Sequence, residues 1–184
     1  MKFEEIRYFS IQSGNPYFDM AKLLPNSKTL DECLEDVVSL ETEDAYLNLN
    51  GNRFAISYKY DLSVFFDDLL EMVFLLKSKK AGQLQQFWPS NTFNVDWQLS
   101  WSEHNLDVSA IFDSVGSIET GAKINRQVFC ISKNDFVAEW GEILRVVDDK
   151  VNRGDTQKLD CDQLGRLRTL IQTLEFRGRL YQNG

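Results

Sequence analysis

Residues 93–101, Phe93-Asn94-Val95-Asp96-Trp97-Gln98-Leu99-Ser100-Trp101, alternate without a break between apolar and polar side chains. Successive side chains of a strand point to opposite faces, so this stretch predicts a β-strand with one packed and one polar face. A strand with a solvated face belongs to an antiparallel sheet, because parallel sheets are covered on both sides. Ser102 to Asn105 reads as a turn, and Leu106, Val108, Ala110 and Phe112 carry the alternation onto a returning strand. Another strand is expected from Lys123 to Ile131, after a connection containing Gly116 and Gly121.

Upstream, Tyr46 to Leu49, then Asn50-Gly51, then Phe54 to Tyr60 predict a β-hairpin, since Asn-Gly accepts the positive φ angles of a type I′ turn. Ser63 is the expected N-cap of a helix running to about Ser78. That helix is apolar nearly all round, with Asp67, Asp68 and Glu71 as a narrow polar stripe, and is expected to lie between other elements. Lys77, Lys79 and Lys80 suit its C-terminal dipole, and Gly82 its stop. Before the hairpin, Thr29 and Glu32 fit a capping box, and Leu30, Cys33, Leu34, Val37 and Val38 form one helical stripe. Phe3 to Ile11 fits either a strand or a short helix.

Downstream, Ser132 with Asp135 caps a helix whose Phe136, Val137, Trp140, Ile143, Leu144 and Val147 share a face. A last helix, about Asp160 to Leu174, buries Leu164, Leu167, Leu170, Ile171 and Leu174. The expected fold class is α+β: an antiparallel sheet of about five strands, helices mainly on one face, in a single domain over 1–184.

Composition narrows the function. The chain has 184 residues, with 28 Asp+Glu against 20 Lys+Arg, for a net charge of −8. Hydrophobic residues make up 43%, too many for intrinsic disorder. The acidic balance opposes direct nucleic-acid binding, which needs Lys and Arg to displace phosphate counterions. The one basic cluster is Arg166, Arg168, Arg177 and Arg179. Glu4, Glu5 and Arg7 are incompatible with a signal peptide, and no apolar run reaches the roughly 20 residues of a membrane span. Three widely spaced cysteines, Cys33, Cys130 and Cys161, suit reduced thiols in or near the core, and hence a cytoplasmic protein.

Motifs for a nucleophile elbow, a zincin, a P-loop or a dinucleotide fold are missing. His104 is the only histidine and lies in a Ser-Glu-His-Asn turn. No catalytic residue, metal or cofactor is therefore expected. Asp67, Asp68 and Glu71 could offer two ligands to a hard cation, without a third at a recognisable spacing. Trp88, Trp97, Trp101 and Trp140 read as core, with a ligand pocket as the alternative.

The acidic residues of 31–44 stand out. Asp31, Glu32, Glu35, Asp36, Glu41, Glu43 and Asp44 occur there with no Lys or Arg. Asp31–Glu35 and Glu32–Asp36 are like-charged helical pairs, each costing a few tenths of a kcal/mol. The helix dipole offsets part of this near the N-terminus and opposes Glu41, Glu43 and Asp44 beyond the helix. A solvated face and a docking surface for a cationic partner both fit. The polar strand face, with Asp96, and the turn Glu103–His104 are further candidate contacts.

In layout and charge the chain resembles bacterial immunity proteins of polymorphic-toxin systems, including contact-dependent growth inhibition. The resemblance rests on YLNLNGNRFAISYKYD followed by LSVFFDDLLEMVFLL, and on FNVDWQLSWSEHNLDVSAIFD followed by KINRQVFCISKNDFVAEWGEIL. It implies a compact acidic α+β protein that is not an enzyme. It further implies a cognate basic toxin domain, a nuclease being the natural case because its substrate is a polyanion. Two other classes compete: an adaptor or small-ligand carrier using the Trp-rich sheet, and a carboxylate or metal-dependent enzyme using Asp67, Asp68 and Glu71.

Overall fold

The alternating stretch of residues 93–101 forms the second strand of a four-stranded antiparallel meander. The structure, a computed structural model, describes residues 9–23, 29–39, 44–115, 125–153 and 162–174. In order, these form β1 (Phe9–Gln12), α1 (Leu30–Val37), β2 (Ala45–Leu49), β3 (Asn52–Ile56), α2 (Ser63–Ser78), β4 (Gly82–Pro89), β5 (Phe93–Trp101), β6 (Asn105–Val115), β7 (Arg126–Ser132), α3 (Lys133–Asn152) and α4 (Asp162–Thr173).

The fold is α+β with antiparallel strands, but the expected five-stranded sheet is two sheets, β1-β2-β3 and β4-β5-β6-β7. Two causes separate expectation from structure. β4 is hidden in sequence, because Gln83, Gln85 and Gln86 blur its alternation. The first hairpin pairs with β1, across Ile11↔Leu47, rather than with the meander. Its Asn50-Gly51 turn has positive φ at both residues, 48° and 83°, as the type I′ reading requires.

The chain leaves the first sheet earlier than the hairpin pattern predicts. Residues Tyr58–Leu62 wind into a π-helical turn that runs directly into α2, and Ser63 lies inside the helix rather than capping it. Asp61 causes this: its Oδ2 accepts the Ser57 N–H at 2.7 Å and closes the turn. The predicted caps of α1 and α3 are both present. Thr29 and Glu32 bond each other's backbone N–H, and Ser132 Oγ accepts from Asp135.

One hydrophobic core joins both sheets and all four helices. All four tryptophans are buried in it. Trp88 stacks on Phe65 at 4.3 Å, and Phe54 of the first sheet stacks on Phe112 of the second at 4.9 Å. Such pairs contribute about 0.5–1.5 kcal/mol beyond their area. At the far end of α2, the Lys79 carbonyl accepts from the Trp101 indole and the Lys133 ammonium, so a cation caps the helix C-terminus. Gly82 follows, and a Cβ there would lie 2.5 Å from the Trp101 ring. On the outer edge of β1, the buried Glu139 carboxylate accepts the Ile11 N–H at 2.7 Å. Among the described residues, no helix is long and apolar enough to cross a membrane.

Candidate functional site

The capping box fixes the entry of α1, and its apolar stripe, Leu30, Cys33, Leu34 and Val37, is buried. The acidic residues are thereby turned outward or along the helix boundary. Glu32 serves the cap, Glu35 is exposed, and Asp31 and Asp36 are half-buried. Asp31 meets α4: Gln163 accepts the Leu30 N–H at 2.5 Å and donates to Asp31 Oδ2 at 3.5 Å. The other oxygen, Oδ1, is buried without a hydrogen bond.

Across from α1 stands the polar stripe of α2. Burial, and then the neighbouring charges of Asp67, Glu35 and Asp68, hold the Asp31 carboxyl above its ordinary pKa, with the Gln163 bond opposing. Asp68 is likewise raised, by burial first and then by Asp67 and Glu71. Part of the acidic run of α1 and the stripe of α2, separate in sequence, thus lie near enough for their charges to interact, Asp67, Glu35 and Asp68 acting on Asp31 and Glu71 on Asp68; we call these five the ridge. Arg166 of α4 enters it through an ion pair to Asp67 at 2.7 Å. At the other end of α1, the Lys59 ammonium donates to the Glu35 and Val38 carbonyls and supplies the cation that α1 lacks in its own sequence.

An apolar groove adjoins the ridge. It lies between α2 and α4, has a volume of about 970 Å³, and is floored by Leu70, Phe74, Leu75 and Leu170. Asp67 and Glu71 line it too, with Arg166 and Lys77. α2 is therefore not enclosed on all sides: Val64, Asp67, Glu71 and Phe74 share an outward strip, and Phe74 is 57% exposed. The signal was available in the sequence, since Phe74 stands three residues after Glu71 and seven after Asp67, on the polar side of the helical wheel.

The remaining candidates are dispersed. Asp44 is half-buried at the start of β2, and burial together with the Asp61 charge raises its pKa. Asp96 lies on the outer face of the meander, where Gln85 donates to it at 2.9 Å. Glu103 pairs with Lys80 at 3.2 Å, and His104 is exposed beside it in the β5–β6 turn, its carbonyl accepting from the Lys133 N–H. Glu41 and Glu43 lie outside the described residues, as do Cys161, Arg177 and Arg179. Arg168 pairs with Asp148 of α3 at 3.5 Å, so the two described members of the late basic cluster, Arg166 and Arg168, go to separate carboxylates.

The outer face of the meander carries a shallower hollow of about 480 Å³, lined by Gln83, Gln85, Gln98, Ser100, Asp107 and Val128. Phe87 and Val128 are exposed there at 54% and 62%. Cys130 is exposed on the same strand, contrary to the expectation of thiols near the core; slight desolvation and the adjacent Asp107 hold its thiol above the ordinary pKa. The Trp97 and Trp101 side chains point away from this hollow into the core, so they line no pocket on it. Among the described residues, no three His, Cys, Asp or Glu side chains converge as metal ligands would. Comparison of the chain with protein-family models, curated proteins and solved structures found no match.

Proposed function

We propose that the chain is an acidic cytoplasmic binding protein that neutralises a cognate basic toxin domain, a nuclease in the natural case, by tight association. The observation that supports this is the mutual charge interaction of Asp31, Glu35, Asp67, Asp68 and Glu71, offset among the described residues by one ion pair, from Arg166 to Asp67. Folding alone favours interspersed cations on such a surface. A negative field instead steers a positive partner and selects it over neutral ones. The test is co-expression with the basic domain encoded beside the gene. Growth is rescued by the wild-type chain, and rescue weakens for Asp31→Asn/Glu35→Gln/Asp68→Asn/Glu71→Gln. Full rescue by that variant rejects the ridge as the contact surface, and absence of rescue by the wild-type chain rejects the neutraliser reading.

A second reading has one specific observation behind it. The outer sheet face, with Phe87, Ile111 and Val128 exposed among glutamines and serines, suits an adaptor that docks through its sheet rather than a carrier with a tryptophan pocket.

A further inference from the structure

The groove between α2 and α4 differs from an ordinary helix crevice in two ways. Its apolar floor is open although Phe74 lies on it, and α4 contributes Gly165 to its wall. Gly165 is the fourth residue of α4, and inside a helix glycine costs up to about 0.5–1 kcal/mol relative to alanine. A Cβ built on it meets nothing within 4 Å, so no close neighbour among the described residues requires the glycine. The missing side chain leaves that part of the groove wall bare.

Charge states what fits. At one end of the groove Arg166 is already paired to Asp67, and Glu71 there, with Asp31, Glu35 and Asp68 of the adjoining ridge, leaves an excess of negative charge among the described residues, whereas Lys77 stands toward the C-terminal end of α2. A groove between two helices with spaced apolar anchors accepts a third helix through residues at i, i+3, i+4 and i+7. We infer that the groove receives an amphipathic helix of the basic partner. Its apolar face lies on Leu70, Phe74 and Leu170, and its Lys or Arg side chains lie at the Asp67–Glu71 end. This rests on the reading of the chain as a neutraliser of a basic protein, and adds the form of the docking segment. Residues 175–184 of the chain itself carry similar chemistry in sequence, Phe176 and Leu180 beside Arg177 and Arg179, and are the competing occupant.

The probe is a synthetic amphipathic Leu/Lys helix of about five turns, long enough to be helical when bound, with a Leu/Glu counterpart. Binding is followed by fluorescence anisotropy and by amide chemical shifts. The Leu/Lys peptide is expected to bind at least about tenfold more tightly than the Leu/Glu peptide at low salt. Its shifts are expected to centre on Leu70, Phe74 and Leu170. Gly165→Phe, which plugs the groove from an open position, and Phe74→Ser, at an exposed one, are each expected to cut binding by about tenfold with the melting temperature kept. Equal affinity for the two peptides, shifts centred on Phe87 and Val128, or indifference to Gly165→Phe overturns the inference. Tighter peptide binding after deletion of 175–184 also overturns it, because the chain's own residues are then the occupant. Unchanged affinity of Gly165→Phe for the toxin domain encoded beside the gene overturns the groove and leaves the neutraliser reading standing. Peptide capture in the groove without any binding of that domain overturns the neutraliser reading, and with it the partner named here.

Discussion

Asp61 and Asp31 are both carboxylates withdrawn from bulk water, and their surroundings are opposite. Asp61, 2% exposed, accepts the Ser57 N–H at 2.7 Å, the Thr92 hydroxyl at 2.6 Å and the Ser90 hydroxyl. Its carbonyl accepts the Trp88 indole N–H at 2.7 Å, so one residue ties the π-helical turn to both ends of the β4–β5 connection. Asp31 has one long bond from Gln163, one orphaned oxygen, and three carboxylates whose charges act on it. The glycines repeat the contrast: Gly82 is pressed against Trp101, whereas Gly165 faces open space. Around Asp61 and Gly82, each unusual residue satisfies a neighbour. Around Asp31 and Gly165, the unusual residues work against the stability of the chain that carries them.

The largest effect is expected at Asp61. Asp61→Ala leaves an N–H and two hydroxyls without their acceptor, at about 1–3 kcal/mol for each buried group that stays unpaired. A loss of about 3 kcal/mol or more in urea unfolding is expected, against little change for Asp31→Ala. Equal losses would erase the contrast between the two carboxylates.

The glycine pair comes next. Gly82→Ala forces the Trp101 ring or the β4 backbone to move, with an overpacking cost of about 1–3 kcal/mol. Gly165→Ala is expected to stabilise the chain by about 0.5–1 kcal/mol through helix propensity. Matching signs for the two substitutions in thermal unfolding would show that Gly165 also serves the fold.

Acidification gives a smaller and opposite signature. Asp31, Asp44 and Asp68 have raised pKa values, so each binds its proton earlier in the folded than in the unfolded chain. Their net contribution is therefore destabilising at neutral pH, and this is relieved as the pH falls toward the ordinary aspartate value of 3.8. Asp31→Asn/Asp44→Asn/Asp68→Asn is expected to melt above the wild type at pH 7, with the gap narrowing on mild acidification. A gap that widens as the pH falls would reverse the sign assigned to these groups.

Sequence reading succeeds where local pattern decides. β5 and β6 alternate because one face of the meander is solvated, Thr29 and Glu32 form a cap that needs no distant residue, and Asn50-Gly51 sets its own turn. It fails where a distant residue decides. Gln86 looks like a surface glutamine but is buried, its amide donating to the Asp68 carbonyl, which hides β4. Tyr58 to Tyr60 read as the end of a strand until Asp61 bonds Ser57 and the serine and threonine beyond β4. For the candidate site, the carboxylates of α1 and α2 were visible separately. Their meeting was not, because it depends on how α1, α2 and α4 pack. Asp96, Glu103 and His104, plausible in sequence, lie elsewhere, on the outer sheet face and in the β5–β6 turn.

The most direct measurement is the urea midpoint of the wild-type chain and of Asp31→Asn/Glu35→Gln/Asp68→Asn/Glu71→Gln, in about 0.01 M and about 1 M salt, where the Debye length is roughly 30 and 3 Å. If the ridge is maintained against the interests of the fold, the variant is more stable by about 1 kcal/mol at low salt, from a few tenths per relieved like-charge contact, and the difference shrinks at high salt. A variant less stable than the wild type at low salt would contradict this, and would make the ridge a structural feature of the fold.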